Sequence, residues 1–351
     1  LVAAAKRTFR RGAVPAFWFR LLASLWGMVL ALQLWFVLRR FFPESGWAGV
    51  WRIWSLMTLS LPFWGHSAHL YPEIPAACLL LAAFDRIARE ALPHVSFGFW
   101  AVLALWFHVK YAPLVVVLLV WGSWRTLQRP GWVSARSLKL LATRGGLALL
   151  PLLGLLAYVQ GLYGTWNPMN VYPREAYLQT PHLLRLKVFL SFFLDQRDGL
   201  IWSFPLLFLL FARKRTVGDR ALWLLLGAYV SAHAWTTVRG GHAPLGRPLM
   251  AVFWVLVLLL ASRWLGGGTG MAGWERALAW TGLWWGGLVL LVPVWLYQPV
   301  VSSTVHGSAD WLAHLWRGAD RFFISSPVDS RSARIPPVPT PDRPVTGEAG
   351  R

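Results

Sequence analysis

The sequence predicts an all-α protein, a polytopic transmembrane bundle of about ten helices. Three observations carry that prediction. Hydrophobic residues make up 56% of the 351-residue chain and charged residues only 14%, against about 25% charged in a soluble domain. The apolar residues fall into runs near the ~20 residues that cross a bilayer as a helix. There are also 25 Trp, many near run ends, where an indole ring lies half in lipid and half in water.

The runs are read, in order, as spans near 17–38, 47–65, 70–87, 95–108, 111–125, 145–164, 199–212, 221–237, 248–264 and 277–298. The fourth and fifth are interrupted by His108, Lys110 and Pro113. They read either as two short helices meeting at one face or as one kinked hairpin. An outer loop is expected over 165–198, with an amphipathic helix near 181–194 lying on the membrane surface. Residues 301–351, with Pro336, Pro337, Pro339, Pro341 and Pro344, are expected to be a C-terminal tail, largely disordered after Trp311 to Phe323. Cys78 is the one cysteine, so no intrachain disulfide forms. It reads as a small core residue.

Charge orients the bundle. Lys and Arg number 34 against 14 Asp and Glu, a net charge of +20. Nucleic acid is not the expected partner, because the basic residues sit in short clusters between apolar runs. Arg125 to Arg144 and Arg213 to Arg220 are basic connections, and both are expected on the cytoplasmic side. The turn from Arg263 to Arg276 then falls inside as well. The end of span two with the start of span three, the loop 165–198, the loop 238–247 and the C-terminal tail are expected outside. The basic arm from Lys6 to Arg11 is the exception, since it also lands outside.

Ionisable residues at the outer ends of spans are the candidate site, since such groups are costly near lipid. In HSAHLYPEIPAACLLL they are His66, His69, Tyr71 and Glu73. Glu73 stands in the first turn of a helix, where the helix dipole alone would favour an acid. The other reading is a polar wall open to the outside. Two histidines three apart, without a third clear ligand, fall short of a zinc site. No metal is assigned, although a divalent ion is left open. In WFHVKYAPL, His108 and Lys110 are either a wetted turn with a snorkelling lysine or a cation for a phosphate. Asp195 and Arg197 precede span seven, where a solvated span end is the plain alternative. Arg239 and Arg247 flank the Gly-rich TTVRGGHAPLGRP before span nine. Glycine lets a ligand approach the backbone, and an arginine fork beside orphan N–H groups at a helix start suits a phosphate.

Taken in order, FWFRLLASLWGMVLALQLWFVLRRFF, HLYPEIPAACLLL, WFHVKYAPLVVVLLV, YGTWNPMNVYP, FFLDQRDGLIWSFPLLFLL and GGHAPLGRPLMAVFWVLVLLLA resemble bacterial glycosyltransferases of the GT-C fold that use polyprenyl-phosphate sugars. These enzymes are related to the dolichyl-phosphate-mannose protein mannosyltransferases. The resemblance covers about residues 15–265, and each motif is loose alone. It implies transfer of a sugar from a polyprenyl-phosphate carrier to an acceptor hydroxyl on the outer face of the bacterial inner membrane. Arg247 matches the family's arginine before a late span and would hold the lipid phosphate. Arg239, Lys110 and His108 would support the same charge. Glu73 matches the acid of the Tyr-Pro-Glu segment, with His69 and Tyr71 beside it. Asp195 and Arg197 would line the acceptor entrance. The family's general base is an acid in the first outer loop. Residues 1–16 read as a remnant of that loop, so the base is expected upstream of Leu1.

Two other classes fit the composition. One is a non-catalytic binder or flippase of lipid-linked sugars. The other is a solute transporter, which would more usually show internal repeats and helices broken near the midplane. Membrane lipids are partners in every case. The acceptor and the sugar are not legible.

Overall fold

The computed structural model describes residues 16–60, 71–89, 96–128, 135–168, 200–208, 219–235 and 247–265, with isolated positions between them and between 273 and 284. The described residues are mostly helical and include no strand. In chain order the helices are α1 (Ala16–Phe41), α2 (Gly46–Thr58), α3 (Glu73–Ala88), α4 (Phe97–Leu103), α5 (Ala112–Leu127), α6 (Ala135–Tyr163), α7 (Leu200–Ser203), α8 (Asp219–Trp235) and α9 (Phe253–Leu265). Short 3-10 turns precede or extend several of them, notably Val109–Tyr111 before α5 and Arg247–Val252 before α9.

Among the described residues, two stretches are long and apolar enough to cross a membrane, Leu21–Phe41 in α1 and Gly145–Tyr163 in α6. Both are largely exposed and apolar. Leu22, Met28, Leu32 and Phe36 lie open on α1, and Leu149, Leu150, Leu153 and Leu162 on α6. Water-soluble surfaces rarely carry contiguous apolar faces of this extent, so these faces favour association with a membrane.

The helix boundaries differ from the spans read in the sequence, for local reasons. Helix α2 stops at Thr58, four residues before Pro62, whose ring disfavours helix in the residue before it. Helix α3 starts at Glu73, directly after Pro72. Within the run 199–212, residues 200–208 are one helical turn and a 3-10 turn that opens at Pro205, because proline supplies no N–H for a continuing α-helix. The fourth and fifth runs are two separate helices. His108 between them is extended (φ −171°, ψ 139°), and its side chain caps the turn that follows. Helix α6 begins at Ala135, so half of the basic connection 125–144 is helix rather than loop. Of the expected loop remnant 1–16, Ala16 opens α1 and residues 1–15 lie outside the described residues, as do 301–351 and most of the run 277–298.

The directions of the helices follow from their contacts. Helices α3 and α5 run parallel. Lys110, just before α5, meets Glu73 at the start of α3, Phe84 stacks on Trp121, and Arg125 donates to the Ile87 carbonyl at their far ends. Helix α4 runs back between them, with Arg86 donating to Ser96 at 3.0 Å. Its Phe97 presses on Gly122, where an added Cβ would lie 2.5 Å from the ring. Helix α8 is antiparallel to α5, since Tyr229 near its end stacks on Tyr111. Helix α1 lies along α3, with the Trp26 carbonyl near the Cys78 thiol and Arg40 near Asp85. Helices α3 and α9 form the buried centre, with every residue from Glu73 to Asp85 and from Phe253 to Ala261 in the core.

The bundle therefore has two unlike ends. One gathers Glu73, His108, Lys110, Tyr111, Tyr229 and His233. The other gathers Arg39, Arg40, Asp85, Arg86, Arg89 and Arg125.

Candidate functional site

The site is built on the start of α3, the turn before α5 and the end of α8. Pro72 precedes α3 and leaves Glu73 in its first turn, where the exposed N–H groups favour a carboxylate. In this position Glu73 is 1% exposed, so the dipole alone does not account for it. Lys110 Nζ lies 2.6 Å from Glu73 Oε1, and the lysine side chain is 18% exposed. Each charge thus has its counter-ion within a largely apolar surround, the condition under which buried ions persist.

Local chemistry aims the lysine. The Lys110 backbone N–H donates to His108 Nδ1 at 3.0 Å, which closes the 3-10 turn and fixes the direction of the next side chain. The ammonium also lies 5.3 Å from the centroid of the Tyr111 ring, a favourable place for a cation. Tyr111 is fully buried and stacks on Tyr229 with centroids 6.3 Å apart. One turn further along α8, His233 meets the Tyr229 ring edge-on at 4.6 Å. His233 also contacts Phe192 at 5.9 Å and is in electrostatic range of Lys110, His108 and Glu73. The site is a buried acid–lysine pair backed by a column of two tyrosines and a histidine.

The structure thus joins two clusters that the sequence presented separately. Glu73 and Lys110 are in direct contact, His108 shapes the turn, and partly buried Tyr71 stands two residues before Glu73. Arg247 opens the 3-10 turn Arg247–Val252, which packs against both α3 and α8. Its backbone is therefore carried by an element that borders the site. His66, His69, Asp195, Arg197 and Arg239 lie outside the described residues. Among the described residues, no three His, Cys, Asp or Glu side chains converge as metal ligands.

Tyr229 and His233 were missed in the sequence because they sit within an apolar run. The available signal was a tyrosine and a histidine four apart in YVSAHAW, which share one helix face. The opposite end was missed as well. Asp85 is buried between Arg40 and Arg89, each 2.5 Å away. Arg263, read as part of a cytoplasmic turn, is 4% exposed in the last turn of α9.

No protein-family model, curated protein or solved structure matches the chain.

Proposed function

We propose that the chain is a membrane glycosyltransferase with a GT-C-like bundle of about ten spans. It would move a sugar from a polyprenyl-phosphate carrier to an acceptor hydroxyl. The observation that carries this reading is the buried Glu73–Lys110 pair at one end of an apolar helical bundle. A lysine fixed there suits a phosphate at the lipid boundary, and an adjacent acid suits the hydroxyls of a sugar. The arginine-rich opposite end supports an orientation in the bacterial inner membrane with that end in the cytoplasm and the site outside.

Sugar transfer needs charge stabilisation for the departing lipid phosphate. Lys110 and Arg247 are assigned to that charge, with Arg239 and His108 in support. Glu73 is assigned to orienting the sugar and holding Lys110, to which it is ion-paired. Asp195 and Arg197 are assigned to the acceptor entrance, with His69 and Tyr71 beside the sugar.

The test is release of polyprenyl phosphate from a polyprenyl-phosphate sugar by the full chain in proteoliposomes. Wild type should turn over, and Arg247→Ala and Lys110→Ala should each lose ~100-fold, the usual scale for one lost charge-stabilising donor. Membrane insertion should be unchanged. Wild-type turnover in both variants would sink the phosphate role. Lipid binding without any turnover in wild type would favour the non-catalytic binder.

A further inference from the structure

Arg185 is a cation that the sequence reading passed over, in the loop expected to lie on the membrane surface. Its guanidinium carbon lies 3.8 Å from the centroid of the Trp235 ring. Its Nε and Nη1 donors are buried with no hydrogen-bond acceptor among the described residues. Both facts bear on what the side chain does. Stacking uses the face of the guanidinium and leaves its in-plane N–H donors for an acceptor. Buried polar atoms are nearly always partnered, and charged ones most of all, so such donors call for an anion.

The surroundings narrow the anion. Trp235 is two residues beyond His233, at the end of α8 that borders the Glu73–Lys110 pair. Positions 185, 186, 189, 190, 192 and 193 are helical. Phe192 packs inward on His233, while Leu186 and Leu190 are 54% and 42% exposed one turn apart. A cation with orphan donors therefore stands beside an exposed apolar strip, against the helix end that also carries His233.

We infer that Arg185, clamped on Trp235, is a second phosphate-binding cation of this site, and that its phosphate is carried on a lipid tail. The tail lies along the strip at Leu186 and Leu190, and the phosphate accepts from the guanidinium. This rests on the lipid-phosphate reading of the site, and it adds a residue that no motif pointed to.

The experiment is calorimetric titration of the full chain in detergent with farnesyl phosphate, inorganic phosphate and dihexanoyl phosphatidylglycerol. Arg185→Gln should weaken farnesyl phosphate ~10-fold or more, the scale of one charged hydrogen bond. Trp235→Leu should weaken it as well, and inorganic phosphate should bind far more weakly than the lipid throughout. Phosphatidylglycerol binding as tightly as farnesyl phosphate would keep the lipid-phosphate site and overturn a polyprenyl carrier as its ligand. Arg185→Lys covers a Gln variant that fails to fold, since it keeps stem and charge but loses the planar fork. A loss of ~3-fold or more in the Lys variant supports the assignment. Wild-type affinity in the folded Gln or Lys variant overturns it and points to a carboxylate of this chain as the partner. Equal affinity for inorganic phosphate overturns the lipid tail. No farnesyl phosphate binding by wild type would remove both this inference and the glycosyltransferase reading. Arg185-dependent binding without sugar turnover would remove only the catalytic reading.

Discussion

Helix α3 carries one acid near each end, ~18 Å apart at 1.5 Å per residue. Glu73 is 1% exposed and has a lysine that is itself mostly buried. Asp85 is 6% exposed, but Arg40 and Arg89 on it are 40% and 44% exposed. At the Asp85 end the cations stay in water, so losing the acid strands nothing. At the Glu73 end, losing either partner leaves a charge in an apolar surround. The same helix thus has one end built like a solvated terminus and the other like a binding site.

The comparison can be broken most directly at Lys110. Lys110→Ala should cost about 3–5 kcal/mol, the scale for stranding one partner of a buried pair. Thermal unfolding in detergent measures this, and Glu73→Gln combined with Lys110→Met should recover most of the loss. A packing change sharpens the contrast at the far end. Gly122→Leu should cost about 1–3 kcal/mol from overpacking, because its Cβ would lie 2.5 Å from Phe97. There, close helix contact matters more than charge. Asp85→Asn should cost about 1 kcal/mol, as for exposed pairs. That loss should shrink between about 0.1 M and about 1 M salt as the screening length falls to ~3 Å, and the Lys110→Ala loss should not. The smallest effect is expected from Arg40→Gln, a few tenths of a kcal/mol, since Arg89 remains on Asp85.

The helical content was legible because long apolar runs leave few alternatives, as α1 and α9 illustrate. Helix ends were less so. They turned on Pro72, Pro205 and the extended backbone of His108, and on helix α6 continuing through a basic stretch that reads as loop. Glu73 and Lys110 each stood out as a charge in a costly place. Their pairing did not, because they are 37 residues apart and no local pattern encodes the parallel packing of α3 and α5. Tyr229 and His233 were hidden by the apolar run around them. A single imidazole barely lowers the hydropathy of a window, although it decides what the window can touch.

On the proposed function, the Glu73 end holds a lipid phosphate and the Asp85 end does not. Mass spectrometry of lipids copurifying with the full chain tests it. Wild type and Asp85→Asn should both carry a polyprenyl-phosphate lipid, and folded Lys110→Ala should have lost it. Equal retention by Lys110→Ala, or loss on changing Asp85 instead, would contradict the account.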